Sequence, residues 1–325
     1  MVVQSAVNSK LYPENLEEEI LRLKKDMNAV ILSHYYQDDE IQDIADFIGD
    51  SLDLSRKAAA TDADYIIFCG VKFMAEVAKI LSPDKTVLIP DMKAGCSLEE
   101  SCPPAAFKRF REQNPDHLAL TYINCSAEIK ALSDIIVTSS CAEKIINQIP
   151  EDQPIIFSPD KYLGGYLAKK TGREMLLWEG TCIVHEQFSE REMVRLKTKH
   201  PNADIIAHPE CPEVLLNYAD HVGSTSSLIN YTREKCADKP DSEFIVLTES
   251  GIIHQMEKYS PEGQFYTVPG LTESCASCNN CPYMRLNNME KLYDCMANKI
   301  NEITMSEQLR VKAEEPLLKM LEMSK

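Results

Sequence analysis

The feature that most constrains the fold of this chain is a pattern of strands and helices that the sequence repeats three times. Each copy contains apolar runs of four to six residues, separated by stretches whose apolar residues follow a helical period. Such runs are typical of parallel strands buried on both faces of a sheet. The copies start at 30–34, 118–124 and 203–208. The sequence therefore predicts an α/β fold of three repeated αβα units with parallel sheets, around a pseudo-threefold axis with a central cavity.

Three aspartates mark corresponding positions in the three copies of the repeat. Asp64, Asp134 and Asp220 each precede an apolar run, and they lie 70 and 86 residues apart. A chain of 325 residues exceeds one ordinary hydrophobic core, which favours several domains. We expect repeated units at 1–102, 103–186 and 187–270, followed by a segment, 271–325, with a cysteine-rich loop and C-terminal helices that pack on the body.

Polar side chains stand where the predicted strands end. In open parallel sheets, ligands bind beyond the carboxyl ends of the strands. Three units that face one another would place these ends around one shared cavity. The polar residues at the predicted ends are His34, Asn124, Ser139, His208 and Thr225. Taken singly, either histidine is most often a packed residue, but the corresponding positions of His34 and His208 in two units favour a functional role.

The densest chemical feature is the run Cys275-Ala-Ser-Cys278-Asn-Asn-Cys281-Pro282. Three thiols at a two-residue spacing resemble the start of a bacterial ferredoxin cluster site. The next cysteine, Cys295, lies fourteen residues further on. The residues alone leave three hypotheses open: an electron carrier, a cluster enzyme with an open iron, and a zinc knuckle completed by a histidine. Cys275 and Cys278 could also pair with each other on oxidation.

The other cysteines fall into two groups. Cys96 and Cys182 follow the first and second units, as the cysteine run follows the third, so thiols from three places could meet. By chemistry alone, Cys102 could replace Cys96. Twelve cysteines without a secretory signal favour reduced thiols and metal binding over disulfides. Six are predicted to be small buried packing residues: Cys69, Cys125, Cys141, Cys211, Cys236 and Cys295.

Charge and composition exclude several classes of function. The chain has 34 basic and 51 acidic residues, a net charge of −17, and no concentrated basic patch, so we expect no nucleic-acid binding. An anionic substrate would have to be held by local dipoles and hydroxyls. No apolar stretch is long enough to span a bilayer, and residues 1–10 lack the pattern of a secretory signal. We therefore expect a cytoplasmic protein that does not bind membranes.

An ordered set of motifs from about Leu16 to Met305 resembles the quinolinate synthase family, the iron–sulfur enzymes of de novo NAD biosynthesis. No single motif is specific, but the order of the whole set is. Besides the cysteine run, the matching stretches include His34-Tyr-Tyr-Gln37, Gly49-Asp-Ser-Leu52, Ala94-Gly-Cys-Ser-Leu98, Tyr122-Ile-Asn124, Cys182-Ile-Val-His185, His208-Pro-Glu-Cys-Pro212 and Val222-Gly-Ser-Thr225.

The resemblance implies one [4Fe–4S] cluster at the centre of three αβα domains, ligated by only three cysteines. By motif position, these are Cys96, Cys182 and Cys281. The fourth iron would then be free to bind a hydroxyl or carboxylate of the substrate as a Lewis acid. The implied enzyme is a transferase that forms a pyridine ring. It condenses iminoaspartate with dihydroxyacetone phosphate to quinolinate, with loss of phosphate and two waters.

The resemblance also implies roles for individual side chains. His34, Tyr36 and Glu210 match catalytic positions, and a dehydration needs acid and base groups of these types. His185 could support the cluster or the substrate, or it could simply pack. A handover of the unstable imine from an aspartate-oxidising enzyme is compatible with this reaction. The matching substrate-binding positions are His34, Ser51, Tyr122, Asn124, Ser139, His208, Glu210 and Thr225.

Overall fold

The structure is a computed structural model that describes residues 12–270 and 279–325. Its first repeated unit is built on a four-stranded parallel sheet. In the inner strand β1, Val30, Ile31 and Leu32 are all buried, because helices cover both faces of the sheet. The elements are α1 (Leu16–Asp26), β1 (Ala29–His34), α2 (Asp39–Ile44), β2 (Phe47–Gly49), α3 (Ser51–Ala60), β3 (Tyr65–Cys69), α4 (Lys72–Leu81), β4 (Thr86–Leu88) and α5 (Ser97–Ser101).

The second and third units repeat this plan. The second contains α6 (Pro104–Gln113), β5 (Leu118–Tyr122), α7 (Ala127–Lys130), β6 (Ile135–Val137), α8 (Ala142–Ile146), β7 (Ile155–Ser158), α9 (Lys161–Thr171) and β8 (Met175–Leu177). The third contains a 3-10 turn (His185–Gln187), α10 (Glu190–Lys199), β9 (Asp204–Ala207), α11 (Glu213–Leu216), β10 (His221–Val222), α12 (Thr225–Asp238), β11 (Glu243–Leu247), α13 (Ile252–Tyr259) and β12 (Gln264–Thr267).

The C-terminal helices pack on the body of the protein. A 3-10 turn (Met284–Leu286) precedes α14 (Met289–Asn298) and α15 (Glu307–Met323). Helix α14 packs against α1, and α15 packs against α4, α7 and β6, so it bridges the first two units.

All three sheets share one topology. Their strand orders are β2-β1-β3-β4, β6-β5-β7-β8 and β10-β9-β11-β12, and the neighbouring strands are parallel. The predicted α/β fold with three repeated αβα units is confirmed. The unit boundaries drawn at residues 102, 186 and 270 stay a prediction.

The register of the repeat differs from the predicted one. Asp134 and Asp220 precede the edge strands β6 and β10, whereas Asp64 precedes the inner strand β3. Their equivalent in the first unit is Asp46, which precedes the edge strand β2, so the true spacing is 88 and 86 residues. Each of these aspartates accepts the backbone N–H of the inner strand beside it: Asp46 from Ile31 at 2.8 Å, Asp134 from Ala119 at 2.7 Å, and Asp220 from Ile205 at 2.8 Å.

Strand pairing then defines which side chains are equivalent. Leu32 pairs with Phe47, Leu120 with Ile135, and Ile206 with His221. Counting on from these pairs, one equivalent set is His34, Tyr122 and His208, and a second set, two residues further, is Tyr36, Asn124 and Glu210. The chain thus presents six polar side chains from the same two positions of each unit.

Three of the short edge strands were not predicted. The strands β2, β8 and β12 have three or four residues and are partly exposed, so they carry little of the apolar signal that marks the inner strands.

Within residues 12–270 and 279–325, none of the helices combines the length and the apolar character that crossing a membrane requires.

Candidate active site

The carboxyl ends of the three sheets face one cavity. The space inside it, counted together with the open solvent at its mouth, is about 740 Å³. Side chains from all three units and from the segment after β12 form its wall. Every residue predicted for the site lines it: His34, Tyr36, Ser51, Cys96, Tyr122, Asn124, Ser139, Cys182, His208, Glu210, Thr225 and Cys281.

Three thiols reach this cavity from three different loops. Cys96 lies after β4, Cys182 after β8 and Cys281 after β12. Of the ten cysteines in the described ranges, these three are partly accessible and the other seven are buried. Cys102 is among the buried ones, with 1% exposure, and it does not line the cavity. The six cysteines predicted to be packing residues are all buried, whereas Cys275 and Cys278 lie outside the described residues.

The donor set fits a soft metal cluster. Burial raises the pKa of the Cys96 and Cys182 thiols well above the usual range and that of Cys281 to about 11. Cys281 further raises the pKa of Cys96, and both raise that of Cys182, so the three sulfurs are close enough to interact. Three converging thiols without disulfide partners are the ligands that iron–sulfur clusters use.

Glu210 is the best-connected acid of the cavity. Its Oε1 accepts the Tyr122 hydroxyl at 2.6 Å, and its Oε2 lies 3.0 Å from Nδ1 of His185. Burial alone would raise the pKa of Glu210, but His185, His208 and these hydrogen bonds together lower it. Glu210 is 3% exposed and is therefore a buried carboxylate held in one orientation.

The two equivalent histidines are neutral and carry the same tautomer. Burial lowers the pKa of both His34 and His208 to about 4. Nδ1 of His34 accepts the backbone N–H of Tyr36 at 3.1 Å, and Nδ1 of His208 accepts that of Glu210 at 3.3 Å. The proton of each ring must then be on Nε2, and that of His208 points to Ser139 Oγ at 3.3 Å. Both rings can donate a hydrogen bond.

Tyr36 joins the first unit to the third. Its hydroxyl lies 2.7 Å from Thr248 Oγ1 and 3.1 Å from Thr225 Oγ1. Burial raises the pKa of Tyr36 well above its usual range, so the phenol is protonated. The ring of His34 contacts it edge to face, with centroids 4.5 Å apart. The hydroxyl is thereby fixed at the cavity wall.

Helix starts supply further polar groups. Ser51 is the first residue of α3, and Thr225 is the first residue of α12, so the N-terminal ends of both helices, with their backbone N–H groups, lie near the cavity. Asp50, which caps α3 by accepting the N–H groups of Leu52 and Asp53, was not predicted as a site residue. Its Oδ2 accepts the hydroxyl of Ser140 at 2.5 Å, which ties the first unit to the second.

Asn124 has an unused acceptor. Its Oδ1 is buried and has no hydrogen-bond partner among the described residues. Buried amide oxygens are seldom left unpaired, so this atom is suited to a bound ligand. The loop that carries Asn124 is fixed by Lys130, whose Nζ donates to the carbonyls on either side, those of Ile123 at 3.2 Å and of Cys125.

Glu249 was missed as a site residue, although it lies only two residues beyond the end of β11. It is fully buried and lines the cavity. Its Oε1 accepts the backbone N–H of Cys281 at 3.1 Å and the guanidinium of Arg285 at 2.9 Å. Burial raises the pKa of Glu249 to about 7, against the opposing effect of Arg285. Glu249 thereby fixes the backbone of one candidate metal ligand.

His185, for which packing was the alternative, is buried in the cavity wall and contacts Cys182. Lys72 and Glu76, in α4, do not line the cavity, and Lys72 Nζ lies 3.7 Å from Glu76 Oε1. Glu76 is buried and accepts the backbone N–H of Ala127 at 2.9 Å.

Fold and site together define a class: an α/β protein of three repeated units whose strand ends and three thiols enclose one small-molecule cavity. Residues 18–322 match the family model described as "Quinolinate synthetase A protein". The chain is 59% identical over 317 residues to a protein named quinolinate synthase from Microcystis aeruginosa, with 98% of each chain covered. It is 58% identical over 311 residues to a quinolinate synthase of Chloroherpeton thalassium, covering 96% of this chain and 95% of that one. The chain belongs to the quinolinate synthase family.

Proposed function

We propose that this protein is a quinolinate synthase that condenses iminoaspartate with dihydroxyacetone phosphate and releases phosphate, two waters and quinolinate. In this proposal, Cys96, Cys182 and Cys281 hold a [4Fe–4S] cluster. The observation that carries it is the convergence of these three thiols, one from the loops after each sheet, on a cavity whose wall also holds paired acid and base groups. When bound, such a cluster supplies an open iron that acts as a Lewis acid on a substrate oxygen.

The chain's own residues would divide the remaining work. Glu210 is the ionised carboxylate of the cavity, so it is the candidate base for substrate protons. His34 and His208, neutral and protonated on Nε2, are candidate donors to substrate oxygens. The Tyr36 hydroxyl, protonated and fixed by two threonines, is the candidate acid.

Anionic substrate groups would be held by local dipoles. The chain has a net charge of −17, and no lysine or arginine is among the described residues that line the cavity. Hydroxyls of Ser51, Ser139 and Thr225, together with the N-termini of α3 and α12, supply donors for carboxylate and phosphate. The unpaired Oδ1 of Asn124 adds an acceptor for an N–H or O–H group of the substrate.

The alternative, an electron-transfer or scaffold protein built on the 275–281 cysteine run, has less support. Cys281 of that run lines the cavity, and the two thiols that line the cavity with it, Cys96 and Cys182, come from distant loops. Adding a dicarboxylate to the cluster-loaded protein distinguishes the two. A spectrum that responds indicates an open iron, whereas an unchanged spectrum favours a fully ligated carrier.

Anaerobic purification with iron and sulfide counting, followed by an assay for quinolinate, tests the proposal. Replacing Cys96, Cys182 or Cys281 by serine should abolish both the cluster and activity, because three thiolates are the fewest ligands that can hold the cluster. Cys102→Ser is the matched control and should keep both, since Cys102 does not line the cavity. If iron counting showed that Cys102→Ser had lost its four irons and Cys96→Ser had kept them, the ligand assignment would be refuted. The proposal also includes a cytoplasmic location and handover of the imine from an aspartate-oxidising enzyme.

A further inference from the structure

Three ligand atoms in the cavity already form a compact tripod. Nδ1 of His185 lies 3.2 Å from Sγ of Cys182 and 3.0 Å from Oε2 of Glu210, and the three atoms lie within 4.8 Å of one another. We propose that this tripod is a binding site for a single divalent cation, best suited to zinc, and that the cation competes with the cluster for Cys182. The competition rests on the proposed function, but the binding itself does not.

The ligand spacing is close to that of a tetrahedral zinc site. Zinc bonds of about 2.0–2.3 Å place neighbouring ligand atoms about 3.3–3.6 Å apart. The two distances from His185 Nδ1, 3.2 and 3.0 Å, need to open by only a few tenths of an ångström. The third pair, Cys182 Sγ and Glu210 Oε2, lies within 4.8 Å and would close to the same spacing around a bound ion. One sulfur, one nitrogen and one oxygen ligand also favour zinc over magnesium or calcium, which prefer sets of oxygen atoms. The fourth position would face the cavity.

Each non-sulfur ligand is held by a neighbour, as is usual for metal ligands. Nε2 of His185 lies 3.0 Å from Thr248 Oγ1, which fixes the ring with Nδ1 facing the tripod. Oε1 of Glu210 accepts the Tyr122 hydroxyl, so Oε2 is the oxygen that faces His185. The orientation of the two side chains therefore does not depend on the metal. A metal ion would displace the proton that His185 Nδ1 shares with Oε2 and bind both atoms.

The charge of the cavity favours a cation. Asp50, Glu210 and Glu249 line it, and no lysine or arginine does among the described residues. Cys182 lies three residues before His185, which begins a 3-10 turn, so a single short segment presents two of the ligands. Cys96 and Cys281 are not part of the tripod, and this separates the cation site from a site made of three thiols.

Titration of the cluster-free protein with Co²⁺, followed by displacement with Zn²⁺, tests the binding. We expect one equivalent of Co²⁺ and a thiolate-to-cobalt charge-transfer band from a single sulfur. His185→Gln and Glu210→Gln should weaken Co²⁺ binding at least about tenfold, as loss of metal-site partners does. Cys96→Ser and Cys281→Ser are the matched controls and should bind Co²⁺ as the parent does.

Two results would overturn the site. One is equal loss of Co²⁺ binding in Cys96→Ser and His185→Gln, which would indicate a three-thiol site. The other is unchanged binding in both His185→Gln and Glu210→Gln. Circular dichroism and thermal melting of each variant exclude misfolding as the reason for a loss, and the two ligand variants check each other.

The competition has its own measurement. Wild-type protein preloaded with one equivalent of Zn²⁺ should take up less iron and sulfide during reconstitution than zinc-free protein. In His185→Gln, the ratio of uptake with and without zinc should return towards one. Equal uptake in wild type with bound zinc would refute the competition. Failure of zinc-free wild type to assemble a cluster would instead refute the proposed function, while the Co²⁺ result would stand.

Discussion

Two groups of buried and half-buried ionisable side chains lie between the repeated units, and the cost of burying them is offset in different ways. The cavity cluster consists of Glu210, His185, His208 and Tyr122. The Lys130 cluster, between the first two units, consists of Lys130, Glu76, Glu99 and Lys72. In the cavity cluster, the Glu210 carboxylate contacts two histidine rings and the Tyr122 hydroxyl, and polar atoms still face the cavity. In the Lys130 cluster charges of opposite sign compensate one another.

The difference separates a site that can accept a ligand from one that holds the fold together. Lys130 is completely buried, donates to two carbonyls and lies 5.4 Å from the centre of the Phe73 ring. Glu210 is nearly as buried, but its neighbour Asn124 retains an unpaired oxygen. Substitutions in the cavity cluster should therefore change chemistry more than stability, and substitutions in the Lys130 cluster should do the reverse.

Glu210→Gln should have the largest effect on turnover. Glutamine keeps the shape of the side chain but cannot take up a proton, so we expect quinolinate formation to fall by about 10²- to 10⁴-fold. Iron and sulfide content should stay at the wild-type level, since Glu210 is not among the three thiol ligands. Glu99→Gln is the matched control and should turn over normally. A Glu210→Gln protein that works at the wild-type rate would remove Glu210 from the mechanism.

Lys130→Met should have the largest effect on stability. Removing the ammonium leaves Glu76 and Glu99 without their buried counter-charge and two carbonyls without a donor. Breaking a buried charge network typically costs about 3–5 kcal/mol, which chemical denaturation of the cluster-free protein would detect. The exposed Lys199→Met is the control and should change stability by no more than about 0.5 kcal/mol. Equal effects of the two variants would contradict the contrast drawn between the clusters.

The sequence was informative about the cavity cluster because strand ends have a recognisable pattern. Apolar runs that end in His34, Asn124 or His208 predicted both the strands and the shared cavity, and family motifs added Tyr36, Tyr122 and Glu210. The equivalence of all three units at these positions could be recognised only from strand pairing, since β2 is too short and too exposed to be read as a strand.

The Lys130 cluster could not be predicted in this way. Lys130 follows Ile129 at the end of a four-residue helix, where a lysine is normally solvated. Its burial depends on Glu76, which is 54 residues earlier in the chain and belongs to another unit. Burial of this kind is decided by the packing of one unit on another, about which a single sequence carries no periodic signal.

The cavity cluster and its surroundings should also give stability a characteristic dependence on pH. Burial lowers the pKa of His34 to about 4, from an unfolded value near 6.5. Below pH 6.5 the unfolded chain therefore binds a proton that the folded protein does not, so stability falls as the pH decreases towards 4. Relative to His34→Gln, cluster-free wild type should lose about 2 kcal/mol between pH 7 and pH 5. Denaturant unfolding at the two pH values measures this, and parallel losses in both proteins would exclude it.

The Lys130 cluster should show a smaller dependence of the opposite sign, through Glu99. Burial and the neighbouring Glu76 raise the pKa of Glu99 to about 7, although Lys130 and Lys72 oppose them. A raised pKa means that the folded protein holds a proton which the unfolded chain has already lost. The stabilisation is therefore complete below about pH 4.5 and disappears as the pH rises through 7.

Glu99→Gln removes this titration because the glutamine amide is uncharged at every pH. Between pH 5 and pH 8, wild type should lose about 1 kcal/mol relative to the variant, less than the full shift would give because Glu99 is partly exposed. Glu112→Gln, on an exposed face of α6, should follow wild type over the same range. If the Glu99→Gln and His34→Gln differences had the same sign, the two clusters would titrate alike, and the distinction between a ligand site and a structural charge network would fail.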